Sequence, residues 1–402
     1  MRFIKKFLKW TAIIIVALVL IALGTVYAGH KFIFKEKTSD VPTIQPLVSG
    51  KYELGVQAHP NIKTVDDFVK VFAEQVKNYQ KKSAELWPDN AVTNQYAMLE
   101  SVEEDRFWLI NPNGDIKEMD KEEALSYNIS RVPYFNGFDL FEGRGIKGMY
   151  LAISKEDLSN YLVYQEYYHL GTYDVFITYS HESFHLLEQH KWNSRNSTDV
   201  PNQAKNDFYE NKGARAQRNL LLKQLLEAVR DPKNQDKYVL DAIASFEEYK
   251  SKYPDDYQNS IYFDKVEGTA YYYELISCLY ASYPEQIKNE KDLQDALTLL
   301  AISDYYNEAY GIISEGYNIG GFAGILLDRL EGDKSDNWKK EIIKNQDATP
   351  MQLLADKYKD EKLPEPVILS QADVDAVTKN INKQGEDSGP SNLFKMLYQL
   401  IF

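Results

Sequence analysis

The spacing of hydrophobic residues changes along this chain. Residues 10–28 form an apolar stretch, and residues 106–153 contain short apolar runs separated by turn residues. From residue 202 onward, apolar residues recur mostly at helical spacing. Short runs bounded by turns are typical of strands, whereas a period near 3.6 residues is typical of amphipathic helices. We therefore predict an α+β fold with a small mixed sheet and a mainly helical second lobe.

A helix is predicted to begin shortly after residue 60. Thr64-Val-Asp-Asp67 places an acidic residue three positions after a threonine, a spacing that caps helix N-termini. Apolar residues then follow at helical intervals: Val65, Phe68, Val69, Phe72 and Val76. We expect this helix to lay its apolar face over the core of the domain.

The strands of the small sheet are predicted between residues 106 and 153. Pro112-Asn-Gly114 is a turn sequence inside residues 106–119, so the two flanking runs are predicted to form a β-hairpin. Residues 146–153 are predicted to form a further strand. Residues 215–229, 266–278 and 291–310 are predicted to be helical, and we find no internal repeat.

The N-terminus predicts export. Four basic residues, Arg2, Lys5, Lys6 and Lys9, precede the apolar residues 10–28, and a helix of that length spans about 28 Å, close to the roughly 30 Å of a bilayer core. The segment could remain as a single membrane anchor. Alternatively, the small residues in Val26-Tyr27-Ala28 fit cleavage of a secretory signal peptide. Both alternatives place most of the chain outside the cytoplasm, either anchored to the cell membrane or secreted.

The cysteine content excludes two possibilities for an exported protein. The only cysteine is Cys278, far from the N-terminus, which excludes a lipid-anchored lipoprotein and an intramolecular disulfide. The predicted organisation is a signal or anchor segment at residues 1–29, a stalk at 30–60, one domain at 61–381, and a linker with an apolar tail at 382–402. That tail could dock on the domain or touch a membrane surface.

The chain is acidic, with a formal net charge of −14. Nucleic acid is therefore not an expected partner, because binding to phosphates requires a basic surface. Such acidity would also favour cationic over anionic substrates.

One motif indicates a specific chemistry. His181-Glu-Ser-Phe-His185 is an H-E-x-x-H sequence in a stretch without Pro or Gly, with Asp174 as a plausible cap for a helix running to about residue 192. Residues four apart lie on one helix face, so the two imidazoles can reach one zinc ion. Glu182 would then act as general base toward a zinc-bound water, whose pKa the metal lowers toward about 7. The motif predicts a zinc hydrolase.

A catalytic zinc usually has three protein ligands, so a third must come from elsewhere in the chain. The spacing H-E-x-x-H-x-x-G-x-x-H is not satisfied, because positions 188 and 191 are Glu and Lys. Glu267 is the preferred third ligand, since the adjacent Gly268 and nearby Ala270 allow close helix approach. Glu274 is the alternative, two turns later on much the same face, and Glu188 is expected to be solvated or to support the site indirectly.

These residues resemble the gluzincin class of zinc metallopeptidases, in which a helix bearing H-E-x-x-H is followed by a second helix that supplies a glutamate. The resemblance covers about residues 146–330 and rests on two short motifs. It implies a zincin-like fold, zinc ligation by His181, His185 and Glu267, and a general base at Glu182. The chain departs from the commonest pattern in one respect, because 81 residues lie between His185 and Glu267.

The resemblance suggests two further features. A tetrahedral intermediate needs a donor for its oxyanion, and Tyr317, which lies among glycines before an apolar helix, is the first candidate, with Tyr310 second. In the resembled fold an exposed strand near the metal helix pairs with the peptide substrate, which makes residues 148–152 a candidate docking strand. The favoured alternative for these residues is an ordinary buried strand.

The expected function is hydrolysis of peptide bonds in a peptide or protein substrate by zinc-activated water. Two alternatives stay open at this point. One is a non-enzymatic, membrane-anchored surface protein that binds a partner or uses zinc structurally. The other is a zinc amidase that acts on a non-peptide component of the cell envelope.

Overall fold

The computed structural model describes residues 45–55, 64–102, 104–131, 137–153, 169–172, 174–201, 211–309, 311–332 and 336–381. Residues 43–378 form one compact unit, and a second unit comprises residues 1–42 and 379–402, of which 379–381 are described. Within these ranges, no helix combines the length and hydrophobicity that a bilayer span requires. The predicted N-terminal segment, the C-terminal tail and Tyr310 lie outside the described residues.

The described strands form a hairpin and one mixed sheet. The hairpin pairs β1 (Leu47–Ser49) with β2 (Tyr52–Leu54). The five-stranded sheet contains β3 (Tyr96–Ser101), β4 (Arg106–Ile110), β5 (Ile116–Met119), β6 (Phe138–Gly143) and β7 (Ile146–Ile153). Its order is β5-β4-β3-β7-β6, and only the β3–β7 pair is parallel. The predicted small mixed sheet, its β4–β5 hairpin and the strand at residues 146–153 are confirmed.

The proposed docking of substrate along residues 148–152 is wrong. These residues belong to β7, which pairs with β3 on one side and with β6 on the other. Both rows of backbone hydrogen-bonding groups are therefore already used, and an interior strand cannot accept an added peptide strand.

Strands β3, β4 and β7 are buried on both faces of the sheet: their successive side chains point to opposite faces, and nearly all of these side chains are buried. Leu99, Trp108 and Leu151 join the main core, whereas Met98, Phe107 and Tyr150 join a smaller core on the opposite face. The smaller core is covered by the short helix α2 (Lys121–Leu125) and the residues after it.

The main core is built on α1 (Val65–Leu86), which begins as predicted. The Thr64 hydroxyl accepts a hydrogen bond from the Asp67 amide at 3.1 Å, and all five predicted apolar positions are buried. Helix α1 packs against the long helix α6 (Pro254–Ser282).

The second half of the unit is helical, as predicted. Besides α6 it contains α4 (Lys212–Arg230), α5 (Gln235–Lys252), α7 (Glu290–Leu300), α8 (Ile312–Glu331), α9 (Asp336–Lys344), α10 (Pro350–Lys357) and a helix that begins at residue 371. The helix predicted to run to residue 310 ends at Leu300. A short 3₁₀ turn, Asp304–Tyr306, follows, and the Ser303 hydroxyl accepts a bond from the Tyr305 amide.

Part of the predicted stalk folds with the domain. In the β1–β2 hairpin, the Lys51 ammonium and the Tyr52 hydroxyl donate to Asp292 of α7 at 2.5 and 2.9 Å. Residues 47–54 are therefore attached to the helical lobe rather than extended away from it.

Helices α6 and α8 approach each other unusually closely. A Cβ atom on Gly268 would lie 2.6 Å from the Cα of Gly320, so a side chain at that position requires the helices to separate. Helices approach at 8–10 Å depending on the size of the residues at the contact, and glycine permits the shortest separations. This packing places the backbone beside Glu267 directly against α8.

Buried ion pairs hold the same two helices in register with α4. The Arg215 and Arg218 guanidinium groups donate to the Glu315 carboxylate of α8 at 2.7 and 2.8 Å. Arg218 also donates to Asp264 of α6 at 3.1 Å. Because unpaired charges in a core are strongly destabilising, this network restricts sliding of α6 against α8.

Candidate metal centre

The H-E-x-x-H motif lies on helix α3 (Asp174–Ser183), which continues without a break into a π-helical turn, Phe184–Glu188, and a 3₁₀ turn, Gln189–Lys191. The predicted helix from residue 174 to about residue 192 is therefore present, but its second half is irregular, with a wider π-helical turn followed by a tighter 3₁₀ turn. The imidazoles of His181 and His185 face each other, with their Nε2 atoms 2.9 Å apart.

Glu267 of α6 meets this pair of histidines. Its Oε2 atom lies 3.2 Å from His185 Nε2 and 3.6 Å from His181 Nε2. The ligand atoms of the three residues all lie within 4.8 Å of one another, and no other such group of His, Cys, Asp or Glu occurs in the described part of the chain. The structure thus brings together the three predicted zinc ligands.

The donor set fits a zinc ion. Zinc bonds of about 2.0–2.1 Å at tetrahedral angles place neighbouring ligand atoms roughly 3.3–3.4 Å apart. The three observed separations, 2.9, 3.2 and 3.6 Å, lie on both sides of that value. Two nitrogens and one carboxylate oxygen also leave a fourth tetrahedral position for water or substrate.

Glu274 occupies a different place from that of a ligand. Its Oε2 atom lies 2.9 Å from His181 Nδ1, on the side of the ring opposite Nε2. A carboxylate on Nδ1 orients an imidazole and keeps the proton on Nδ1, which leaves Nε2 available to a metal. Glu274, the alternative third ligand, therefore holds His181 rather than joining the group of ligand atoms.

Gln189 plays the corresponding part for His185. Its Oε1 atom lies 2.5 Å from His185 Nδ1, and its amide donates to the Val266 carbonyl at 2.7 Å and to the Thr269 hydroxyl at 2.8 Å. One side chain thus fixes the His185 ring and ties it to the segment of α6 that carries Glu267.

We expect Gln189→Leu to weaken zinc binding by about 10–100-fold, because groups that orient metal-binding histidines contribute on that scale. Gln189→Glu retains an acceptor for His185 Nδ1 and should preserve most of the affinity. Competition with a chromophoric chelator measures both dissociation constants, with the exposed Gln371→Leu as a control. Equal affinity in all three variants and the parent would refute this role of Gln189.

The electrostatics of the centre favour a cation. Burial lowers the pKa of His181, but the hydrogen bonds with Glu267 and Glu274 outweigh burial and raise that pKa to about 10. Burial raises the pKa of Glu267, yet its contacts with His181 and His185 bring it well below its ordinary value. Together with Glu182, these carboxylates stabilise positive charge at the imidazoles.

Tyr317 also lies at the centre, in the second turn of α8 rather than before the helix as predicted. Its ring stacks on His181, with centroids 5.3 Å apart and planes 6° from parallel. Burial, the charge of Glu267 and a hydrogen bond with Glu267 raise the pKa of Tyr317 far above its ordinary value. The phenol therefore stays protonated and is a hydrogen-bond donor beside His181 and Glu267.

A cavity of about 530 Å³ opens onto these residues. Glu182, His185, Glu267 and Tyr317 line one part of it. The rest is lined by residues 189–190, 192 and 194–198 that follow the motif helix, and by Tyr262 and Val266 of α6. Glu182 is half-buried and lines the cavity without belonging to the group of ligand atoms, as expected for a general base.

Glu188 is not a solvated carboxylate. It is buried, accepts a hydrogen bond from the Ala91 amide at 3.0 Å and another from the Trp192 indole at 3.1 Å, and so joins the motif helix to the residues after α1. Its role is structural, because its carboxylate oxygens accept hydrogen bonds from groups other than His181 and His185.

Sequence reasoning missed Gln189 and the residues that line the cavity beyond the ligands. Gln189 stands four residues after His185, a spacing that would have suggested contact on a helix. The contribution of residues 192–198 had no such signal, because it depends on how an irregular segment folds back over α6.

Comparison of this chain with protein-family models, with curated proteins and with solved structures found no match in any of the three.

Proposed function

We propose that this protein is a zinc-dependent metallopeptidase with a zincin-like fold, anchored to the cell membrane with its domain outside or secreted after cleavage of its N-terminal segment. The observation that carries the proposal is the convergence of His181, His185 and Glu267, with ligand atoms within 4.8 Å of one another. The cavity beside them, about 530 Å³ in volume and lined by Glu182, is of a size that accommodates a small ligand or part of a peptide.

A zinc ion held by these three residues would activate water at neutral pH and polarise the scissile carbonyl. Glu182 takes the proton from the attacking water on its carboxylate and delivers it to the leaving amine. The Tyr317 hydroxyl donates a hydrogen bond to the developing oxyanion, which requires it to exchange its bond with Glu267 for one with the substrate. Glu274 and Gln189 keep the two imidazoles oriented throughout.

Metal removal tests this proposal. The purified protein should cleave members of a random peptide library, lose that activity after dialysis against a chelator, and regain it with about one equivalent of zinc. Mass spectrometry of the products gives the cleavage sites. Cleavage that survives complete removal of the metal would refute the zinc mechanism, and a zinc-loaded protein that cleaves no peptide would refute the peptidase assignment.

A further inference from the structure

The cavity contains one strongly basic side chain away from the metal ligands. Arg195 is the only Lys or Arg among its described lining residues. The nearby Lys265 is buried, and its ammonium donates at 2.7 Å to the carbonyls of both Asn193 and Asn345. The Lys265 ammonium is thus already hydrogen-bonded to backbone carbonyls. Arg195 is therefore the cationic side chain on the described cavity wall that can bind a ligand.

Three hydrogen bonds hold the Arg195 guanidinium in place. Its Nε donates to Asp347 at 2.7 Å, and its two terminal nitrogens donate to the carbonyl and side-chain oxygens of Gln258 at 3.0 and 3.1 Å. These are three of the five N–H donors of a guanidinium, so two have no partner among the described residues and can bind a ligand. Asp347 is 60% exposed, and an ion pair in solvent is held only weakly, so a second carboxylate can share the guanidinium.

Helix α6 relates the level of Arg195 to that of Glu267 along one axis. The terminal nitrogens of Arg195 bind Gln258, which precedes Glu267 by nine residues on the continuous helix α6. At 1.5 Å per residue the separation along the axis is roughly 13 Å. An extended peptide advances about 3.3 Å per residue, so that distance corresponds to about four residues of substrate.

We propose that Arg195 forms a substrate-binding subsite that takes the carboxylate of an acidic residue about four residues from the scissile bond. The proposal rests on the metallopeptidase function proposed above and names a substrate class for it. Guanidinium and carboxylate match in geometry and form charge-assisted hydrogen bonds.

The same distance bears on the type of substrate. If the enzyme released single C-terminal residues, the terminal carboxylate would lie about one residue from the scissile bond. One residue of extended peptide is about 3.3 Å long, which is much less than the roughly 13 Å separation. The subsite therefore fits an acidic side chain within a longer peptide, and it gives the cavity a local preference opposite to the one expected from the acidic net charge of the protein.

Binding and cleavage of matched peptides test this subsite. The probes are amidated, fluorescein-labelled decapeptides of neutral residues with a single Asp at each position in turn, and the corresponding Asn series. Binding is measured by fluorescence polarisation with the zinc-loaded full chain carrying Glu182→Gln, and cleavage with the parent chain, with mass-spectrometric mapping of sites.

We expect the best Asp peptide to bind about 10–100-fold more tightly than its Asn counterpart, as a charged hydrogen bond allows. In the parent chain, cleavage should lie about four residues from that Asp. The preference should vanish in Arg195→Gln, persist in part in Arg195→Lys and remain intact in the control Arg144→Gln, which removes an exposed arginine of the β6–β7 turn.

Each outcome has a defined meaning. Equal binding of the Asp and Asn series, a preference unchanged in Arg195→Gln, or no binding of any peptide would overturn the subsite. Binding that shows the predicted preference without any cleavage by the parent chain would support the subsite and refute the peptidase function instead.

Discussion

Replacing Glu182 with glutamine should abolish peptide hydrolysis while leaving the metal in place. The amide has nearly the same shape as the carboxylate, so the cavity wall is preserved, but it cannot accept the proton from the attacking water. General-base catalysis contributes about 10²–10⁴-fold, and we expect kcat/KM to fall by at least that factor. Zinc content should stay unchanged, because Glu182 is outside the group of ligand atoms.

The control for this substitution is Glu285→Gln, which removes the same charge at a side chain that is 92% exposed. It should retain the parent activity, measured on a peptide that the parent cleaves. Full activity in the Glu182→Gln protein would refute the assigned mechanism, whereas loss of zinc together with activity would show that Glu182 holds the metal.

The second large effect is expected for Glu267→Ala. The substitution removes one of three ligands together with its negative charge, and two neutral imidazoles alone hold zinc poorly. We expect the dissociation constant for zinc to rise by more than the roughly 10–100-fold that is typical for loss of an orienting group. Isothermal titration with zinc measures the change.

Glu274→Gln is the informative comparison. It keeps an acceptor at His181 Nδ1, so its zinc affinity should fall much less than that of Glu267→Ala. The reverse order, with zinc lost in Glu274→Gln and retained in Glu267→Ala, would make Glu274 the ligand. Thermal unfolding of the metal-free proteins checks that both variants are folded.

Much of the local structure could be predicted from the sequence, because it depends on short-range signals. The Thr64 cap, the turn at Pro112-Asn-Gly114 and the absence of helix breakers around His181 each act within a few residues. The α+β class follows from the same patterns.

The different roles of Glu267 and Glu274 could not be predicted from the sequence. Glu267 and Glu274 are seven residues apart on one helix, and the sequence alone favoured Glu267 but left Glu274 as an alternative ligand. Their difference arises in three dimensions, because Glu267 reaches Nε2 of both imidazoles while Glu274 reaches the far side of one ring. The packing of α3 against α6 sets this arrangement.

Contacts between residues far apart in the sequence could not be predicted either. Residues 148–152 have the composition of a strand, but whether a strand is interior or at an edge depends on its partners. Here β6 covers the edge that substrate docking would need. Arg195 is a further example, since its approach to Gln258 joins residues 63 positions apart.

The zinc content of the purified chain tests the central claim most directly. Mass spectrometry of the parent protein, after reconstitution with zinc and removal of excess metal, should give about one zinc per chain. The Glu267→Ala protein treated in the same way should retain little or none. Absence of bound zinc from the reconstituted parent would contradict the account, because His181, His185 and Glu267 would then be a buried polar cluster without a metal.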